Sequence, residues 1–159
     1  MKFIGLVLIF TACSLAGVVS AAKKADMMKY TEALISLISF MKFKISNCRT
    51  ELYDIYGEFE NEYMNRRGIL KILKDDGFKA ALEYSCLYAG FEENEARALF
   101  DFADKLGSSD VHDQIENIDY VMKVLDARFD DQKKNYPSQK KLYISLGMLA
   151  GALAVIILF

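Results

Sequence analysis

Residue types that build catalytic and metal sites are rare in this chain. It has one histidine, no tryptophan and three cysteines among 159 residues. With His112 as the single histidine, no HExxH zinc motif can form, and a histidine-based triad would depend on this one residue. Cys13, Cys48 and Cys86 form no CxxC pair, and the sequence has no GxxxxGK[ST] phosphate-binding loop. We therefore expect a protein that is not an enzyme and that has no catalytic residues, no cofactor and no metal site.

Residues that interrupt regular structure are also scarce, because the chain has one proline and nine glycines. Strands are usually bounded by clusters of such residues, so their scarcity disfavours a β fold. Apolar residues instead recur every three or four positions through the middle of the chain, which is the spacing of amphipathic helices. The predicted fold class is therefore all-α, with a helical bundle or hairpin as the central domain.

Charge is absent from both ends of the sequence. Residues 3–22 and residues 142–159 contain no Asp, Glu, Lys or Arg. A helix of the second length would span about 27 Å, close to the bilayer hydrocarbon thickness of about 30 Å. We predict an N-terminal transmembrane helix at 3–22, a helical domain at 23–141 and a C-terminal transmembrane helix at 142–159. A buried core helix is the alternative for the second segment.

The N-terminal segment also fits a cleaved signal peptide. "VVSAA" offers small residues for a signal peptidase, and "FTACS" is a loose lipobox around Cys13. A strict lipobox would have Leu, Val or Ile where Phe10 stands. The sequence pattern alone leaves membrane anchor and signal peptide equally open.

Lysines flank both apolar segments on the side of the central domain. Lys and Arg near membrane helices tend to stay in the cytoplasm, so two anchors with this bias place residues 23–141 there and both termini across the membrane. A signal peptide would put the domain outside, and the lysines of its tail anchor would then break this rule. All 22 acidic residues and 19 of the 20 Lys and Arg residues lie at 23–141, a balance that argues against a nucleic-acid partner. The flanking lysines are Lys23, Lys24, Lys133, Lys134, Lys140 and Lys141.

Within the central domain, the first helix is predicted from Lys24 to Asn47. Thr50 can cap a second helix that extends to Met64, because its hydroxyl can accept a free backbone N–H. Later helices should end at glycines, which adopt the left-handed conformation without steric cost. These glycines are Gly77, Gly90 and Gly107.

The last helix of the domain shows a heptad seam and is predicted to stop at Pro137. Such a seam needs a partner, either the first helix of the same domain, which we favour, or another protein. The seam residues are Val111, Ile115, Ile118, Met122, Leu125 and Phe129.

Two short motifs are candidates for packing or contact. Gly147 and Gly151 form GxxxG, which lets two membrane helices approach closely. In "GSSDVHDQ", Ser109 or Asp110 should cap the last helix, with Gln114 facing water; the alternative is that this loop is a contact surface.

Three stretches resemble a known family. "ALISLISFMKFKISNCRTEL" is similar to its first helix and the following turn, and "KKLYISLGMLAGALAVIIL" is similar to its C-terminal tail. "FADKLGSSDVHDQIENI" resembles a leucine-glycine, serine-aspartate and glutamine signature. Over essentially its whole length the chain resembles the stage III sporulation protein AB family of endospore-forming bacteria. The signature positions are Leu106, Gly107, Ser109, Asp110 and Gln114.

The chain departs from the family pattern in one place. The family usually has proline after the threonine that opens the second helix, whereas Glu51 follows Thr50 here. Proline at the first helical position only pre-sets φ, so we expect a softer helix start.

The resemblance implies a non-enzymatic platform or scaffold of the sporulation channel complex between mother cell and forespore, similar to inner-membrane platform proteins of type II secretion. It implies a retained N-terminal anchor in the inner (cytoplasmic) membrane, at the septum during sporulation. The implied partners are the lipid bilayer and other channel-complex proteins, including a separate cytoplasmic ATPase. Self-association into a homo-oligomer is also compatible. The alternative function is a signal-peptide-bearing, tail-anchored surface protein with an extracytoplasmic helical domain.

Overall fold

The computed structural model describes residues 2–48, 51–107 and 110–158, and these form six helices and no strand. The all-α prediction is therefore confirmed. Two compact units are present: Lys29–Asp130, called the core unit below, and Met1–Met28 with Asp131–Phe159, called the hairpin unit. The predicted domain limits at 23 and 141 concern the membrane boundary and stay a prediction. The helices are α1 (Lys2–Cys48), α2 (Leu52–Glu58), α3 (Glu62–Arg66), α4 (Ile69–Ala89), α5 (Glu93–Lys105) and α6 (Val111–Leu158).

The centre of the core unit is one apolar face of α1. Its residues recur every three or four positions, as the sequence predicted, and each is at most 4% exposed. Burying a side chain of this kind contributes about 1.5–3 kcal/mol relative to leaving it in water, so this face is a main source of stability. The buried residues of the face are Tyr30, Leu34, Leu37, Ile38, Met41 and Ile45.

Within the core unit, α6 packs against α1 in the opposite direction. Lys42 Nζ lies 2.5 Å from Asp119 Oδ1, and Ser39 Oγ lies 3.6 Å from Met122 Sδ, so later positions on α1 meet earlier positions on α6. Ile118 and Leu125 belong to the same buried cluster as the α1 face. The prediction that the first helix is the partner of the seam is confirmed.

The predicted seam is wrong at its first position. Val111 is 40% exposed, because α6 begins there and none of the described α6 residues before Ile118 is fully buried in the core. Ile118 and Leu125 are fully buried, and Val121 between them is 1% exposed. The α6 face in the core therefore passes through Val121, a position that the predicted seam did not include.

The prediction of one helix reaching Met64 is also wrong, because the chain breaks between α2 and α3. Phe59 adopts an extended conformation, and its ring lies 5.6 Å from that of Phe40. Asn61 then caps α3, since its Oδ1 accepts the Met64 N–H at 3.0 Å. The burial of Phe59 and the cap at Asn61 are together more favourable than continuing the α2 helix through this segment. Thr50, the predicted cap of α2, lies outside the described residues.

Gly77 interrupts α4, as the sequence predicted for this position. Its φ of 86° and ψ of −178° are not helical, and they fall in a region that residues with a side chain rarely adopt. The buried Tyr56 ring lies 3.9 Å from where a Cβ on Gly77 would stand. Helix α4 therefore consists of two helical segments that meet at Gly77, and Gly77 lies beside Tyr56 of α2.

Tyr56 should make the stability of the core unit sensitive to alkaline pH. Burial raises the pKa of Tyr56 to about 12, although a hydrogen bond with the Phe78 backbone acts in the opposite direction. A raised pKa means that the folded state holds the phenol proton more tightly than the unfolded state. The stabilisation, about 2–3 kcal/mol, is therefore complete below about pH 10 and is lost as the pH rises toward about 12. The free energy of unfolding, measured in urea between about pH 10 and pH 12, should decrease with pH by about this amount. In Tyr56→Phe most of this pH dependence should be absent.

In the hairpin unit, Pro137 does not end the last helix. The prediction of a stop at this residue is wrong, because α6 continues through it to Leu158. Proline removes one backbone donor and crowds the carbonyl four residues earlier, at a cost of about 3 kcal/mol or more. Ser138 Oγ donates to the Asn135 carbonyl at 2.9 Å, whereas the acceptor that Pro137 leaves without its helical donor is the Lys133 carbonyl.

Candidate functional site

The two apolar helix segments of the hairpin unit pack together through glycines. A Cβ on Gly147 would lie 2.9 Å from the Cys13 carbonyl oxygen and 3.1 Å from Gly17 Cα. A Cβ on Gly17 would lie 2.5 Å from the carbonyl oxygen of Tyr143. A Cβ atom at these distances would clash with the facing backbone. The two backbones therefore approach this closely only because both positions are glycine.

Gly151 extends the same contact toward the other end of the hairpin. A Cβ at this position would lie 2.9 Å from the Phe10 ring and 3.2 Å from the Phe10 carbonyl oxygen. Position 17 therefore meets position 147 while position 10 meets position 151, so the two segments are antiparallel. The GxxxG motif that the sequence singled out faces another segment of its own chain.

The outer surface of this hairpin is apolar. Two helices, Gly5–Asn47 and Val111–Ile157, are long and apolar enough to cross a membrane by length and composition. Only 11% and 6% of their most apolar stretches are buried, which disfavours the alternative of a core helix in a soluble protein. Large side chains exposed on this surface include Val7, Leu8, Leu15, Val19, Leu149, Leu153, Ile156 and Ile157.

Gly147→Val should separate the two segments of the hairpin. The new side chain would meet the backbone of Gly17 and Cys13, and backbone atoms cannot yield as a flexible side chain can. In a background without native cysteines, spin labels at Leu8 and Leu153 should show a broader and longer distance distribution. Gly5→Val is the matched control, because a Cβ at Gly5 has no atom within 4 Å. Equal distributions for both variants would show that the glycine contact does not hold the hairpin.

The signature positions lie around the connection from α5 to α6. Leu106 packs against the core cluster, and Gly107 has a φ of 80° with its Cα facing Leu52, whose Cδ1 would be 2.9 Å from an added Cβ. Asp110 takes the capping position, since its Oδ1 accepts the Val111 N–H at 2.8 Å and its carbonyl accepts the Gln114 N–H at 2.9 Å. Gln114 is partly buried, so it does not simply face water as expected. Ser109 lies outside the described residues.

Asp110→Ala should lower the free energy of unfolding of the core unit by about 0.5–2 kcal/mol, because an N-terminal donor of α6 loses its acceptor. Asp110→Asn keeps a side-chain oxygen, so its free energy of unfolding should stay within about 0.5 kcal/mol of the wild-type value. Gln114→Ala should leave complex assembly nearly unchanged but should lower stability slightly, because Gln114 is partly buried. Urea unfolding and co-purification measure the two effects. Loss of assembly in Gln114→Ala with an intact circular dichroism spectrum would instead identify the loop as a contact surface.

Sequence reasoning missed the main polar cluster of the core unit, which is centred on Arg128. Its guanidinium forms an ion pair with Glu95, and the two side chains are only 8% and 15% exposed. Arg128 Nη2 also donates to the carbonyls of Ala89 and Gly90 at 2.8 and 2.9 Å, at the end of α4. Its guanidinium carbon lies 4.5 Å from the centre of the Phe91 ring. One α6 side chain thus joins the end of α4 to the start of α5.

The same cluster reaches α1 and is continued by hydroxyl groups. Arg128 Nε donates to Thr31 Oγ1 at 3.3 Å, and Thr31 is fully buried. Nearby, the Tyr30 hydroxyl pairs with Ser85 Oγ, which itself donates to the Ala81 carbonyl at 2.7 Å. Buried polar groups of this kind cost free energy unless they are satisfied, and here each has a partner.

Arg128 follows the spacing of the buried α6 positions, although the seam predicted from the sequence does not lead to it. In the core unit, the buried α6 positions are Ile118, Val121 and Leu125, and the next position of this 3–4 spacing is 128. A charge at a core heptad position needs a buried partner. The predicted seam omitted Val121 and led to Phe129, so periodicity alone identified neither Arg128 nor its partner Glu95.

The surface grooves of the core unit carry mixed charge and open widely to solvent. One, of about 270 Å³, lies between α5 and α6 and includes Arg97, Asp101 and Tyr120. His112 is exposed and lines a second groove of about 580 Å³ beside Lys123. No group of three His, Cys, Asp or Glu residues is placed to hold a metal ion in the part of the chain that the structure describes.

These observations define a class: an all-α protein with a helical core unit and two apolar helices suited to a membrane. The chain belongs to the stage III sporulation protein AB family, whose model matches residues 2–159, essentially the whole length. It is therefore a sporulation protein. No curated protein and no solved structure matches the chain.

Proposed function

We propose that this protein is a non-enzymatic platform of the sporulation channel complex, held in the inner membrane by both apolar helices. The core unit lies in the cytoplasm and presents a surface to other proteins of the complex, including a separate ATPase. The septum between mother cell and forespore is its site of action, and its role is similar to that of type II secretion platform proteins.

The observation that carries the double anchor in this proposal is the glycine contact between Gly17 and Gly147. The N-terminal segment has a built packing partner in its own chain, which a signal peptide has no need of. Because the segments are antiparallel, a bilayer that contains both leaves the two chain ends on one side. The flanking lysines favour the cytoplasm for the opposite side, where the core unit continues from the hairpin.

The core unit is acidic. Its formal charge is −7, from 20 Asp and Glu residues against 13 Lys and Arg residues. Among its polar side chains, Arg128 and Lys42 form ion pairs that join helices of the unit. Energy for transport would then come from the ATPase partner, as the family resemblance implies.

Protease access and intact mass test the orientation. In sealed protoplasts from sporulating cells, added trypsin should leave the core unit intact, and in inside-out vesicles it should cleave the core unit. The intact mass should correspond to a chain that retains residues 3–22. Cleavage in protoplasts, a chain beginning near Ala22, or a lipid on Cys13 would favour the surface-protein alternative.

Cross-linking in sporulating cells tests the scaffold role. Wild type and Gly5→Val should recover the other complex proteins and the ATPase, whereas Gly147→Val should recover less, because its anchor is disrupted. Recovery of no complex protein by wild type, in cells where the protein is in the membrane, would contradict the proposal.

A further inference from the structure

Charge is divided unequally between the two units. The hairpin unit has seven Lys residues and two Asp residues, a formal charge of +5, whereas the core unit carries −7. An acidic core unit is repelled by an anionic surface. The lysines of the hairpin unit are therefore the groups of this protein that favour such a surface.

Six of these lysines lie at one end of the hairpin and are called the lysine collar. Lys24 and Lys140 belong to segments that are antiparallel, and both lie on the side of the Gly17–Tyr143 contact that is away from Phe10 and Gly151. The collar therefore surrounds the end at which the uncharged stretches stop. Its members are Lys23, Lys24, Lys133, Lys134, Lys140 and Lys141.

Lysines repeat along α6 at an interval that lies within the range of electrostatic attraction to one charged surface. Lys133 and Lys140 are two helical turns apart, so they lie on one face about 10 Å from each other. This distance is close to the Debye length of about 8–10 Å at physiological salt, so the ammonium groups of both lysines can be attracted to the same charged surface. Tyr136 and Tyr143 repeat at the same interval, and both leave part of their surface exposed, as aromatic residues at a membrane interface do.

The collar lysines are available for an external partner. In the core unit, Lys42, Lys79 and Arg128 are engaged in ion pairs. None of the six collar ammonium groups forms an ion pair with the described residues, and five of the six side chains are exposed, with Lys24 partly buried. Unpaired ammonium groups beside an apolar surface are the arrangement that recognises anionic lipid.

We propose that the lysine collar binds the anionic headgroups of phospholipids in the leaflet that the hairpin enters on the core-unit side. This inference needs the hairpin to be inserted in a bilayer, but it does not depend on the channel role. An acidic protein, such as the core unit of a second copy, is the competing partner.

The test uses the full chain in nanodiscs that contain phosphatidylcholine and phosphatidylglycerol. Spin-labelled forms of each lipid report how much of it is immobilised at the protein. For wild type we expect a several-fold preference for phosphatidylglycerol, which raised salt weakens. With Lys133, Lys134, Lys140 and Lys141 all changed to Gln, the ratio should fall to less than about half of its wild-type value, because only Lys23 and Lys24 of the collar remain.

A second quadruple variant is the matched control. It changes Lys71, Lys74, Lys105 and Lys123 to Gln, which removes the same charge from the core unit, and it should keep the wild-type preference. Immobilised phosphatidylcholine in every sample shows that the hairpin is inserted; its absence overturns this inference together with the anchor proposal. Equal immobilisation of both lipids by wild type, or an equal loss in both variants, overturns the inference alone. So does a collar variant that keeps its lipid preference but loses self-association, which would assign the collar to a second copy.

Discussion

Ile118→Asp should unfold the core unit. Ile118 is fully buried on α6 and belongs to the same cluster as Ile38 and Met41 of α1. An unpaired carboxylate at this position has no cationic partner within the cluster, so the loss should exceed about 4 kcal/mol. Since a small domain is stable by only about 5–15 kcal/mol, the variant should be largely unfolded or should melt far below wild type.

Circular dichroism of the full chain in detergent, followed through urea unfolding, measures this effect. Tyr120→Asp is the matched control, because it places the same side chain two residues further along α6 at a position that is 60% exposed. The control should stay close to wild type. If Ile118→Asp unfolds at the same urea concentration as wild type, the α6 face is not a core face and serves an external partner.

Arg128→Ala should cost about 3–5 kcal/mol of unfolding free energy, because it leaves a nearly buried Glu95 without its cation. The change also removes the donors for the carbonyls of Ala89 and Gly90. Arg128→Lys should recover only part of the loss, since an ammonium group cannot reach Glu95, Thr31 and two carbonyls with a planar fork. The expected damage is to the contact between the end of α4, the start of α5 and α1.

Arg97→Ala is the control for Arg128→Ala. Arg97 pairs with Glu93 at 3.3 Å, but the two side chains are 72% and 91% exposed, so its removal should cost about 0–1 kcal/mol. A cycle with Glu95→Gln then isolates the coupling between Arg128 and Glu95. Similar losses for Arg128→Ala and Arg97→Ala, or no coupling in the cycle, would contradict the central role of this ion pair.

The signature residues show how far local sequence chemistry reaches. Gly107 and Asp110 are explained by a left-handed φ after α5 and a cap before α6, and both could be expected from residue type and position. Gln114 could not, because its partial burial depends on where α6 lies in the unit. Residue type and local position therefore explain Gly107 and Asp110, whose roles depend on neighbouring residues in the sequence. They do not explain Gln114, whose environment depends on contacts with distant residues.

The sequence by itself determined the helical class, the buried α1 face from Tyr30 to Ile45 and the two apolar ends, because each follows from side-chain spacing or from the absence of charge along one segment. The tertiary structure decided that Thr31 meets Arg128, that Gly17 faces Gly147, and that α6 continues through Pro137. The first two contacts join residues more than 90 positions apart, and nothing in either helix alone states which partner it will meet. The helix through Pro137 persists although the ring weakens it locally, a balance that local preference alone predicted wrongly.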